Sequence, residues 1–154
     1  MPAPAESESR LLAAALVGTW ELVSRTDRTA SGQVRDEPTL GSDPIALVYY
    51  DRSGRFAAQF MKRDRSAVVT DAPTGTENNT RARGGYDAYF GTYTVDDTAQ
   101  MVTQCLLASL SPENVGLVLT RKMQVRGDEL VIRLQTSAAD GTPVTRTLTW
   151  RRVA

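Results

Sequence analysis

The sequence predicts an all-β fold: an eight-stranded up-and-down antiparallel β-barrel, with a short N-terminal helix and a second helix between the third and fourth strands. Three observations carry that reading. From Gly18 onward, large and apolar residues recur with a period of two in eight runs. Turn residues separate the later runs, leaving no room for the crossing connections of a β-sandwich. Eight antiparallel strands in hairpin order also leave exposed edges unless the sheet closes on itself. The 154 residues, 41% of them hydrophobic, suffice for one core and divide into an N-terminal helical segment (1–17) and a barrel domain (18–154).

Within residues 6–16, Leu12, Ala15 and Leu16 share one helical face behind Pro2 and Pro4, which predicts the short helix. The first strand, 18–26, sets Trp20, Leu22 and Ser24 against Thr19, Glu21, Val23 and Arg25, so one face is bulky and the other mostly wettable. Residues 27–43 are polar, contain Gly32, Pro38 and Gly41, and read as a long loop. Strands at 45–50 and 55–61 are joined by Asp51-Arg52-Ser53-Gly54, residues that tolerate the dihedrals of a tight hairpin. Between 63 and 85 the strand period fails, and Thr74 with Glu77 forms a capping box that predicts a short helix ending at Gly84-Gly85. The remaining strands fall at 89–95, 101–110, 115–125, 130–136 and 144–151, between turns such as Ser111-Pro112, Gly127-Asp128 and Asp140-Gly141.

Charge narrows the function classes. Basic and acidic residues both number 18, so no net field draws the chain to nucleic acid or to an anionic membrane. No apolar run reaches the roughly 18 to 20 residues of a membrane-spanning helix. A lone cysteine, Cys105, and a polar start without a basic and then apolar leader predict a cytoplasmic protein.

Gly18-Thr19-Trp20-Glu21-Leu22-Val23-Ser24, the hairpin Tyr50-Asp51-Arg52-Ser53-Gly54-Arg55-Phe56 with Ala58-Gln59-Phe60-Met61, and the aromatic segment Tyr86-Asp87-Ala88-Tyr89-Phe90-Gly91-Thr92-Tyr93 together resemble the lipocalin-like domain family of bacteria and fungi. Ser109-Leu110-Ser111-Pro112, Val115-Gly116, Arg121, Gly127-Asp128-Glu129-Leu130 and Thr149-Trp150-Arg151-Arg152-Val153 keep the same order. The resemblance covers nearly the whole chain from Gly18. It implies a calycin-type, lipocalin-like barrel and little about activity, since similar barrels either bind ligands or cyclise them. The chain departs from the family at the fifth strand, where Gln104-Cys105 stands in place of histidine. It has no histidine anywhere, which removes imidazole acid–base chemistry and the usual ligands of haem and zinc. No cofactor and no metal is expected.

Arg121 shares its strand face with Leu117, Leu119, Met123 and Val125, and a permanent charge among apolar side chains needs a partner. Two partners are open. One is a ligand carboxylate, enolate or phenolate; the other is the ring of Trp20, on which the resemblance implies that a late-strand arginine stacks. Gln59 can orient a ligand oxygen if its face, shared with Ala57 and Met61, is the inner one; if not, it is a solvent-facing strand residue. Asp87, between Tyr86 and Ala88-Tyr89, is a candidate general acid with a raised pKa. Tyr49, Tyr89 and Tyr93 combine an apolar body with a polar tip, and Met61 and Met123 adapt to an irregular skeleton. Cys105 is either a nucleophile or, lacking a histidine to activate it, a small apolar group at the pocket.

Two function classes follow. The first is a cofactor-free cyclase or isomerase of an apolar natural-product intermediate, polyketide- or terpenoid-like, with Arg121, Gln59 or a tyrosine polarising an oxygen and Asp87 as acid. The second is a non-catalytic carrier or sensor of a small hydrophobic ligand. The expected partner in both is a small apolar molecule with at least one oxygen function; a homodimer is left open.

Overall fold

The computed structural model describes residues 11–67, 69–73 and 77–154. Among them one antiparallel sheet contains β1 Gly18–Arg28, β2 Val34–Arg35, β3 Ile45–Tyr50, β4 Arg55–Met61, β5 Tyr86–Asp96, β6 Met101–Ser109, β7 Val118–Arg126, β8 Glu129–Ser137 and β9 Pro143–Arg152. Strands β3 to β9 are neighbours in chain order, and β1 pairs with both β3 and β9, so eight strands close into a barrel. The extra strand, β2, lies in the stretch expected as loop and pairs only with the end of β1, Asp27 opposite Arg35 and Arg28 opposite Val34. No helix among the described residues is long and apolar enough to cross a membrane.

Alternation sets the lining. Ala46, Val48 and Tyr50 of β3 and Phe56, Ala58 and Phe60 of β4 are buried inside the barrel. The opposite faces, Ile45-Leu47-Tyr49 and Ala57-Gln59-Met61, form the outer surface. In β1 the alternation changes phase: Leu22 pairs with Trp150 and Ser24 with Thr149, leaving Val23 as a bulge. Trp20 and Leu22 therefore face inward in the first half of the strand, and Arg25 and Asp27 do so in the second.

The base of the barrel is sealed by α1, Leu12–Leu16, whose Leu12, Ala15 and Leu16 are buried. Trp20 has no exposure at all, and its Nε1–H donates to the Leu16 carbonyl at 3.0 Å. The Arg152 guanidinium lies 4.2 Å from the centre of that ring and donates to the carbonyls of Ala15 and Val17, both at 2.7 Å. A cation thus satisfies carbonyls that the short helix leaves unpaired. The arginine on Trp20 is Arg152, not Arg121.

The helix expected to end at Gly84-Gly85 is absent among the described residues; its proposed cap, Thr74, lies outside them, as do residues 6–10 of the expected N-terminal helix. Gly84 and Gly85 both have positive φ, +57° and +75°, and Arg83 and Tyr86 exchange backbone hydrogen bonds of 2.8 and 2.9 Å across them. This is a two-residue hairpin turn, which starts β5 at Tyr86 rather than at Tyr89. A 3-10 turn at Pro112–Asn114 likewise delays β7 to Val118. Gly91 is required for a different reason: a Cβ there would run into the Cys105 carbonyl at the bulge between β5 and β6.

At the mouth, β7 and β8 separate, their pairing beginning only at Lys122 opposite Arg133. Asn78, at φ +53°, fills the gap. Its side-chain amide accepts from the Thr120 N–H at 2.9 Å and donates to the Thr120 carbonyl at 3.1 Å, as a strand neighbour would. Thr136 of β8 donates to the carbonyl of Glu77 at 3.3 Å.

Candidate functional site

Two connected chambers occupy the mouth half of the barrel. The inner one has a volume of about 50 Å³, and the outer one, under the segments around Pro38, Ala72 and Ala138, about 130 Å³. They share Arg25, Leu40, Asn79, Thr80, Asp87 and Arg146. Val48, Ala58, Phe60, Ile132, Leu134, Leu148 and Trp150 give the inner chamber apolar walls, while Tyr50, Tyr89, Gln104 and Arg121 contribute polar atoms.

Three buried arginines converge here from β1, β7 and β9. Arg146 grips Asp27 with two parallel bonds, Nε to Oδ1 at 2.7 Å and Nη2 to Oδ2 at 3.0 Å. Arg25 is 2.9 Å from Glu37 and donates to the Gly41 carbonyl at 2.9 Å. Burial alone would raise the Glu37 pKa, but Arg25 and two bonds from Thr39 outweigh it and hold the carboxyl below its ordinary value. Arg121, 6% exposed, differs: among the described residues no carboxylate pairs with it. Its Nη1 donates to the Asn78 and Thr120 carbonyls at 2.8 and 2.9 Å and to Asn78 Oδ1 at 3.2 Å. Burial lowers its pKa, with Tyr89 and Tyr50 opposing.

Asp87 is 3% exposed. Its Oδ2 accepts from the Thr80 hydroxyl at 2.5 Å, while its Oδ1 is enclosed without a partner among the described residues. Burial pushes its pKa from 3.8 up to about 6, against the bond from Thr80 and the charge of Arg25. Beside it, burial raises Tyr89 and Tyr50 above their ordinary values; Tyr50 accepts a bond of 2.7 Å from Gln104.

Asp87 therefore retains its proton more strongly folded than unfolded. Its cost to stability is absent below about pH 4, grows between pH 4 and 6, and is complete above that, because the native state binds more protons in this window. Asp87→Asn removes the charge and keeps an acceptor for Thr80. The variant is expected to be more stable than the parent by about 2 to 3 kcal/mol at pH 8 and nearly equal to it at pH 4. Urea melts across this range measure the difference, and a gap that does not change with pH would show that Asp87 titrates normally.

Of the residues singled out from sequence, the structure brings Arg121, Asp87 and Tyr89 together at the inner chamber. Met123 is fully buried but lies nearer the base, and Tyr93 packs edge-on against Tyr50 at 5.0 Å and donates to the Asp51 carbonyl at 2.5 Å, at the closed end. Four residues face away from the chamber. Tyr49 is 48% exposed on the outer face; Gln59 and Met61 are on the outer face of β4, where Gln59 Oε1 accepts from Tyr86 at 3.3 Å. Cys105, half-buried, alternates with inward Gln104 and Leu106 and so points outward. Arg25, Asp27, Arg146, Gln104 and Trp150 complete the site without having been singled out. Arg146 does carry a sequence signal, since it shares its face with Val144, Leu148 and Trp150.

No curated protein matches the chain. The lipocalin-like domain family matches residues 17–153, from the residue before β1 to the residue after β9. The matched segment is the closed barrel with its chambers, α1 at the base preceding it, and the chain belongs to the lipocalin-like domain family.

Proposed function

We propose that the barrel binds a small, largely apolar, oxygenated compound and rearranges it without a cofactor, as an isomerase or cyclase. The observation that carries this reading is a buried carboxyl, Asp87, with an oxygen unpartnered among the described residues, in the same chamber as a guanidinium, Arg121, that no described carboxylate neutralises. A carboxyl with a pKa near 6 populates both protonation states close to neutrality, so it can take a proton from one carbon and return it to another with no net reagent consumed. Arg121 anchors an oxygen of the compound, fixes the skeleton against Asp87 and neutralises the negative charge that spreads onto that oxygen as the proton leaves. Phe60, Ile132, Leu148 and Trp150 hold the apolar part, as suits a polyketide- or terpenoid-like skeleton. The inner chamber admits only a few water-sized groups, so the oxygenated end lies there and the remainder extends into the outer chamber.

The test is proton exchange. Protein is incubated in D2O with a panel of cyclic enones, with and without a carboxyl group, and deuterium uptake above the protein-free rate is read by mass spectrometry. Uptake is expected for a member of the panel, lost in Asp87→Asn and slowed tenfold or more in Arg121→Met, a replacement of similar length without the charge. Compounds that return unlabelled but are retained by the protein would overturn catalysis and leave a carrier.

A further inference from the structure

The chamber reading leaves the anchoring group of the ligand open, and the Arg121 guanidinium narrows it. All three of its hydrogen bonds leave from Nη1. Nε and Nη2, the two nitrogens on one edge of the fork, donate to nothing among the described residues, yet neither is fully enclosed. That edge carries two parallel N–H groups and matches a carboxylate.

The same chamber contains an internal comparison. Arg146 spends this Nε–Nη2 edge on the carboxylate of Asp27, and Arg25 is matched by Glu37. Arg121, equally buried, has no such counter-ion among the described residues, although a buried cation without one is costly. The position of the free edge is fixed. Three acceptors hold Nη1, two of them on Asn78, which is itself bonded to both backbone groups of Thr120. An arginine held so firmly by one nitrogen, with its other edge free and its side chain lining a chamber, is a prepared anion site.

Resting on the chamber reading above, we infer that the ligand is a carboxylic acid, its carboxylate held edge-on by Nε and Nη2 of Arg121 as Asp27 is held by Arg146. The acid is monovalent and mainly apolar, because most of the chamber's walls, Val48, Phe60, Ile132 and Leu134 among them, are apolar and the other two arginines are already neutralised.

The experiment uses ¹⁵N-labelled full chain and pairs of probes alike in shape but not in charge: phenylacetate with phenylacetamide, and hexanoate with hexanamide. Trp150 lines the chamber and Trp20 lies under the base, so their indole N–H signals serve as reporter and control. The acids are expected to bind at least tenfold more tightly than their amides and to shift the Trp150 and Arg121 Nε signals while leaving Trp20 in place. Arg121→Met should bring the acids down to the affinity of the amides. Arg121→Lys, which keeps the charge but lacks the fork, should recover only part of the difference, and it serves as the working variant if the methionine protein does not fold. Equal affinities for acid and amide, no binding of either at millimolar concentration, or equal shifts with chloride or phosphate would each overturn the inference. Those failures leave Asp87-dependent deuterium exchange standing. Acid binding without any exchange would instead overturn catalysis and leave the carboxylate site in place.

Discussion

Asp27→Ala is expected to destabilise the barrel by about 3 to 5 kcal/mol, the range for breaking a buried ion pair by removing one partner. The pair is enclosed, with Arg146 and Asp27 side chains 8% and 3% exposed. Deleting the carboxylate leaves a guanidinium in a low-dielectric wall already populated by Arg25 and Arg121, so repulsion adds to lost attraction. A double-mutant cycle separates the two effects. Arg146→Met in the Asp27→Ala background removes the stranded charge and should restore a large part of the loss, even though no bond is regained. Denaturant melts of the four proteins give the numbers. A cost below about 1 kcal/mol for Asp27→Ala, typical of an exposed pair, would mean that water reaches this corner of the chamber.

Trp20→Ala should cost a similar 3 to 5 kcal/mol, the usual range for removing a fully buried aromatic. The ring supports more than its own contacts. It carries the Leu16 carbonyl on its Nε1–H and the Arg152 guanidinium on its face, so its loss loosens α1 as well as the strands. The accompanying expectation is spectroscopic: a Trp150→Phe protein, which retains only Trp20, emits at short wavelength and resists quenching by iodide. Red-shifted, quenchable emission would place Trp20 in water and refute the sealed base.

Much of this was legible in the sequence, and the reasons for the rest are specific. The hairpin of β3 and β4 falls on the predicted residues because its two alternating runs flank a turn that admits one register. Arg121 is legible because a charge on an apolar strand face stands out, and Arg146 carries the same mark. Arg25 and Asp27 are not, because the Val23 bulge exchanges the faces of β1 halfway along, and alternation read from Trp20 sends both residues outward. In β4 both faces carry bulk, Phe56-Ala58-Phe60 against Ala57-Gln59-Met61, so period alone does not choose between them; closure does, and Gln59 and Met61 fall outside. Tyr49 misleads similarly, since Ile45 and Leu47 beside it make an apolar outer face. Gly84-Gly85 illustrates a shared signal: positive φ ends helices and turns hairpins alike.

The clamp of Arg152 and Trp20 under the barrel also bears on rates. With one end stapled shut, a ligand that arrives past Pro38, Ala72 and Ala138 leaves by the same door. Substitutions that only raise or lower the barrier at that door slow or speed arrival and departure by the same factor and leave the dissociation constant unchanged. If the ligand sits as proposed, residence time in this barrel is therefore adjustable from the rim, independently of affinity, which the side chains at the bottom of the chamber would decide.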